Sequence, residues 1–254
     1  MAGHSKWANI KHRKGAQDKK RAKVFSRLIK EITVAVKEGG GDAETNPRLR
    51  LAIQNAKGEN MPKDTIERAV KKASGSDGES YSEVSFEGYL PNGIAAYVEA
   101  TTDNNNRTVS NVRTIFNKCG GSMGTKGSLE FIFDTKGVFV VEKEKIKEFD
   151  LEELEMDLID AGLEDMDADD DDIVILYTSF DDFGAMNSKL EELNIEPKSA
   201  DIQKIPNNTE TLEPEKAKQI LQIIEKFEED DDVTRVFHNL ELTEEVAAAL
   251  EEED

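Results

Sequence analysis

Gly3 to Lys14 reads GHSKWANIKHRK, and its residue types suit chemistry on a polyanion. Lys6, Lys11, Arg13 and Lys14 would neutralise phosphates, while Trp7 and His12 offer flat rings on which bases can stack. The cationic run continues through Lys19, Lys20, Arg21 and Lys23. From Met1 to Lys30, ten lysines and arginines face a single acid, Asp18. That is +9 within a chain of 254 residues whose net charge is −21, so the rest of the chain carries −30. Charges of opposite sign stop cancelling once they lie farther apart than the Debye length, ~8 Å at physiological salt. A basic arm held clear of an acidic body can then find phosphates that the body repels. The competing reading packs Trp7 against the helices that follow and leaves the cations solvated.

Other clusters carry weaker chemistry. Arg107 sits at an expected helix N-terminus beside Asp103 and Asn104, where it could contact an anion, although helix capping accounts for the two acceptors without a ligand. Gly120 to Ser128 has the composition of a phosphate loop but lacks its Gly-Lys-Ser/Thr ending and follows a helix; it reads as a loop where backbone passes closely. The acidic run Asp165 to Asp172 fails the calcium-loop pattern, because Asp170 replaces the glycine and Leu176 the final glutamate. It reads as a solvated acidic loop. The only histidines are His4, His12 and His238, and HExxH, GxSxG and paired Cys/His spacings are absent. No catalytic residue, metal or cofactor is expected.

The elements that must position these residues follow from periodicity. Val24, Phe25, Leu28, Ile29, Ile32 and Val36 set a helix over Gln17 to Lys37, ended by three glycines. Asn46-Pro47 starts a second helix, as cap and first helical residue, and a third runs from near Pro62 to Gly75. Residues 1–76 form a basic-armed helical domain. After a Gly/Ser/Asp linker, strands over Glu83 to Leu90 and Ile94 to Thr102 flank the turn Pro91-Asn92-Gly93. A helix bearing Val109, Val112, Phe116 and Cys119 follows, then a short strand over Leu129 to Phe133. From Val138 the order is strand, helix (Leu151 to Ala161), strand (Ile173 to Thr178), helix (Asp181 to Leu193) and strand (Ser199 to Ile205), the ferredoxin-like grammar. A last helix and the strand Val233 to Leu240 read as the return of the middle domain. The expected class is α+β in three domains: an N-terminal three-helix domain (1–76), a middle α/β domain (82–134 plus 207–242) and an inserted ferredoxin-like α/β domain (135–206). An acidic tail occupies 243–254.

Hydrophobic residues make up 37% and charged ones 34% of the chain, which describes a folded protein with modest cores. No apolar run reaches the ~18 residues of a membrane span, and the lone Cys119 suits a reducing cytoplasm. A soluble cytoplasmic protein is expected, with no membrane partner; the composition leaves the oligomeric state open. No finger, zipper or RRM signature selects DNA over RNA.

These stretches together resemble the YebC/PmpR family, which includes the mitochondrial translational activator of cytochrome c oxidase subunit I. The segments that carry the resemblance are GHSKWANIKHRK at 3–14, GGGDAETNPRLRLAI at 39–53, NMPKDTIERA at 60–69, FEGYLPNGIA at 86–95, DNNNRTVSNVR at 103–113, KCGG at 118–121 and DDVTRVFHNLE at 231–241. Asn105 stands where that family often has arginine. The resemblance implies the same three domains and, because its motif begins at Gly3, a bacterial cytosolic member. It also implies one of two roles: a DNA-binding transcriptional regulator, or a ribosome-associated factor that binds ribosomal or transfer RNA and helps translation of proline-rich stretches. A third reading makes the acidic domains a module for basic protein partners.

Overall fold

The structure, a computed structural model, describes residues 17–75 and 80–251. Helix α1 (Gln17–Gly39) buries Leu28, Ile32 and Ala35 completely, the stripe expected at helical spacing. Gly40 turns the chain at φ +87°, donating its N–H to the Val36 carbonyl at 2.8 Å, a glycine C-terminal stop. Asn46 then caps α2 (Pro47–Gly58), its Oδ1 accepting from the Leu49 N–H at 3.1 Å. Its Nδ2 donates to the carbonyls of Ala35 and Gly40, both at 2.8 Å, so one buried amide ties the end of α1 to the start of α2. Helix α3 (Lys63–Ser74) turns Ile66, Ala69 and Ala73 inward, and Leu28, Ile32, Leu49, Ala52, Ala56 and Met61 complete that core.

Strands β1 (Ser82–Tyr89) and β2 (Ala95–Thr102) pair antiparallel with Phe86 opposite Val98. Their turn is a single 3₁₀ turn with Asn92 and Gly93 at positive φ, the conformation that Asn and Gly tolerate best. Helix α4 (Asn105–Lys118) leads to the two-residue β3 (Ser122–Met123) and a series of turns, then to β4 (Phe133–Glu142). The strand expected over Leu129 to Phe133 is therefore turn up to Ile132. The apolar side chains there mark a small cluster of Leu129, Phe133 and Ala95 rather than a ladder.

The chain continues through α5 (Lys143–Ile146), α6 (Leu151–Ile159), β5 (Leu163–Asp167), β6 (Ile173–Ser179), α7 (Phe183–Glu192) and β7 (Ser199–Pro206). It finishes with α8 (Pro214–Glu228), β8 (Val233–His238) and α9 (Glu244–Glu251). One sheet has the order β3-β1-β2-β8, with β8 antiparallel to β2 and Val236 opposite Val98. Its core joins Val112 and Phe116 of α4 to Ile220, Ile224 and Phe227 of α8, and the Phe116 and Phe227 rings meet at 4.8 Å, tilted by 60°. The other sheet has the order β5-β6-β4-β7. β5 was hidden inside the acidic run, so the expected loop from Asp165 is corrected: Asp165 and Asp167 lie in an edge strand paired with β6. With it the sequence β4-helix-β5-β6-helix-β7 has the full ferredoxin-like strand order.

The chain divides into two compact units. One takes in the described residues of 1–23, 79–134 and 204–254, the other those of 24–78 and 135–203. In the second unit Asn55 of α2 behaves like a strand residue toward β7. Its Oδ1 accepts from the Ala200 N–H at 2.9 Å and its Nδ2 donates to the Ala200 carbonyl at 3.0 Å. Gly58 packs so closely there that a Cβ would stand 1.8 Å from the Lys198 carbonyl oxygen. Among the described residues no helix is long and apolar enough to cross a membrane.

Candidate nucleic-acid interface

Lys6, Trp7, Lys11, His12, Arg13 and Lys14 lie outside the described residues, and of Lys19 and Lys20 only the helical backbone is described. Arg21 is exposed in the second turn of α1, whereas Lys23 is half-buried. Burial pulls the Lys23 ammonium below its ordinary pKa, against the opposing influence of Asp231, Glu228, Asp230 and Glu229. Lys23 is therefore partly withdrawn from solvent and feels the carboxylates of the acidic turn that follows α8. The helical spacing of the apolar residues carries no sign of this, because the four carboxylates lie about 200 residues further along the chain.

Further along α1, Arg27 pairs with Glu31 at 3.4 Å and the Lys37 ammonium donates to the Gly75 carbonyl at 3.3 Å. The second bond ties the last turn of α1 to the residue that follows α3, whose own last turn carries Lys71 and Lys72. Cations at helix C-termini also oppose the negative end of the helix dipole. The arginines of α2 are engaged locally. Arg48 pairs with Glu38 at 2.6 Å, and Arg50 donates to the carbonyls of Ala43 and Glu44 at 3.2 and 3.1 Å. Lys71 and Lys72 of α3 are exposed cations outside the leading segment. Their signal in the sequence is only the adjacent pair of charges between buried Ala69 and Ala73.

Arg107, itself exposed, is paired with carboxylates of its own chain. Its Nε and Nη2 donate to the Asp232 carboxylate at 3.1 and 2.8 Å, and Nη2 also reaches Asp103 at 2.8 Å. Asp232 is buried and also accepts from the Thr108 hydroxyl at 2.8 Å, while Asn104 caps α4 by accepting from the Arg107 N–H at 3.1 Å. Hydrogen bonds to both carboxylates raise the guanidinium pKa, Asp232 contributing most. The anions that Arg107 meets here are carboxylates of its own chain, and they fasten the start of α4 to the turn before β8.

The glycine-rich loop is pinned by a residue with no signal in the sequence. Glu87 of β1 is only 5% exposed, and its carboxylate accepts from the N–H groups of Gly127 and Leu129 at 2.8 and 2.7 Å. A buried carboxylate is tolerated where backbone donors converge on it. A Cβ on Gly121 would stand 2.5 Å from the Tyr89 carbonyl oxygen, the close backbone passage that the glycines suggested.

Comparison with known proteins adds a family. Residues 5–76 match the family model described as TACO1/YebC protein N-terminal domain, and residues 81–240 match the model for TACO1/YebC second and third domain. A protein of Amoebophilus asiaticus named probable transcriptional regulatory protein is 51% identical over 241 residues, covering 94% of this chain and 98% of its own. A protein of the same name from Syntrophotalea carbinolica is 49% identical over 251 residues, covering 98% and 99%. The crystal structure of a conserved hypothetical protein from Aquifex aeolicus aligns with a TM-score of 0.77 at 41% identity, covering 90% of this chain and 93% of that one.

Proposed function

The chain belongs to the TACO1/YebC family, and from that premise we propose that it is a non-enzymatic, nucleic-acid-binding regulator of gene expression, nominally a transcriptional one. The relatives' names support the regulatory role. The observation that carries nucleic-acid binding is the +9 charge of the first thirty residues set against −30 in the remainder. Lys6, Lys11, Arg13, Lys14, Lys19, Lys20 and Arg21 meet phosphates in this reading, and Trp7 and His12 stack on bases.

A second reading, a ribosome-associated translation factor bound to ribosomal or transfer RNA, is favoured by one feature of the helical segment. Residues 40–46 separate α1 from α2, longer than the three- or four-residue turn of a groove-reading helix-turn-helix. With Arg48 held by Glu38 of α1 and Arg50 by the loop carbonyls, shape and stacking suit the surface better than base-edge readout.

The test is anisotropy with duplex DNA and with a folded RNA, for the full chain and for Lys11→Glu/Lys14→Glu. With ~5 phosphates engaged, log affinity falls with log salt at a slope of about −4 to −5. The variant should lose tenfold or more in affinity while its melting temperature shifts by about a degree, since surface substitutions change stability by only ~0.5 kcal/mol. Unchanged binding by the variant refutes the proposal. Crosslinking in cells then separates the two readings: promoter DNA supports the first and ribosomal RNA the second.

A further inference from the structure

Helix α6 has two apolar faces, and the fold uses only one. Leu154 and Leu158 are buried in the ferredoxin-like core. Met156 and Ile159 point elsewhere, ~120–180° around the helix from that pair at 100° per residue, and are 62% and 56% exposed. The register of the neighbouring strands adds a third apolar side chain. Leu163 at the start of β5 pairs with Thr178 of β6, so the turn after Ile159 lies beside the loop that carries Phe180, which is 58% exposed. The contact is close: a Cβ on Gly162 would stand 2.4 Å from the Asp182 Cβ.

The surroundings of this patch have one sign. Residues 148–188 contain sixteen aspartates and glutamates and no lysine, arginine or histidine. Among the described residues, Lys136 reaches this stretch to pair with Glu164, and Lys143 donates to the Ala168 carbonyl. Such a field repels nucleic acid and anionic lipid, and it raises the local concentration of a polycation. Exposed apolar anchors inside a charged rim are the anatomy of a protein-binding surface, and complementary charge steers the encounter and sets the orientation.

We propose that Met156, Ile159 and Phe180 form a docking surface for a basic polypeptide segment, one that places apolar side chains on this patch and lysines or arginines against the surrounding carboxylates. The surface draws on no residue of the cationic leading segment, so the protein can hold a basic protein partner and a polyanion by different parts of the chain.

The test uses the full chain and two labelled peptides of equal length, a helical one of lysine and leucine and one of lysine alone, read by anisotropy. The lysine–leucine peptide should bind about tenfold more tightly than polylysine at physiological salt. Met156→Ser/Ile159→Ser, and separately Phe180→Ser, should lower its affinity about tenfold and leave polylysine binding within about twofold. Amide exchange of the wild-type chain with bound lysine–leucine peptide supplies a readout that needs no variant: protection should fall on α6 and residues 179–182. Equal affinity for the two peptides, variants with unaltered binding, or protection confined to other segments would each overturn the assignment.

Discussion

Replacing Asn55 by alanine tests how the helical segment is fixed to the ferredoxin-like sheet. The Asn55 side chain is 5% exposed and Ala200, whose N–H and carbonyl it satisfies, is fully buried. Alanine leaves both backbone groups without that partner. Each buried unsatisfied group costs ~1–3 kcal/mol, so the pair comes to about 3 kcal/mol, a large share of the ~5–15 kcal/mol that holds a domain folded. For a unit of this size that loss is roughly 6–12 °C in melting temperature. Asn55→Asp keeps an acceptor for the Ala200 N–H but loses the donor and sets a charge beside the Ala200 carbonyl, so its loss should be at least as great. Urea titration gives the free energy, and amide exchange at Ala200 gives the local opening. A loss below about 1 kcal/mol with Ala200 still protected at the wild-type level would refute the strand-like role.

Gly58→Ala should destabilise the same unit by ~1–3 kcal/mol in a thermal melt, because its Cβ would enter the space of the Lys198 carbonyl. Glu87→Gln removes one of the two carboxylate oxygens that accept from Gly127 and Leu129; exchange at those amides should speed up, with a loss of ~1–3 kcal/mol. Burial, with smaller contributions from Asp167 and Asp165, raises the Tyr177 hydroxyl above its ordinary pKa. The folded state thus favours the neutral phenol, so this contribution is complete below about pH 10 and is lost as pH rises toward the folded value. Denaturation midpoints measured up the alkaline range should fall above about pH 10, and Tyr177→Phe should flatten that fall.

The helices over residues 17–75 can be read from the chain because their causes are local. Apolar spacing sets the stripe of α1, Asn46-Pro47 sets the start of α2, and glycines stop the helices, each within a few residues of its effect. The family resemblance is equally a property of short segments, and family models match at 5–76 and 81–240. Where the cause is distant, the residues alone mislead. β5 is acidic on an edge strand, where only pairing with β6 makes it a strand, and an exposed edge tolerates charge. Glu87 and Arg107 take their roles from partners 40 and 125 residues away. The sequence by itself determined where charge accumulates and where helices start and stop, since those follow from neighbours along the chain. Tertiary structure alone decided which charges are committed to one another and which apolar side chains of α6 remain uncovered, because pairing and burial depend on what folding brings alongside.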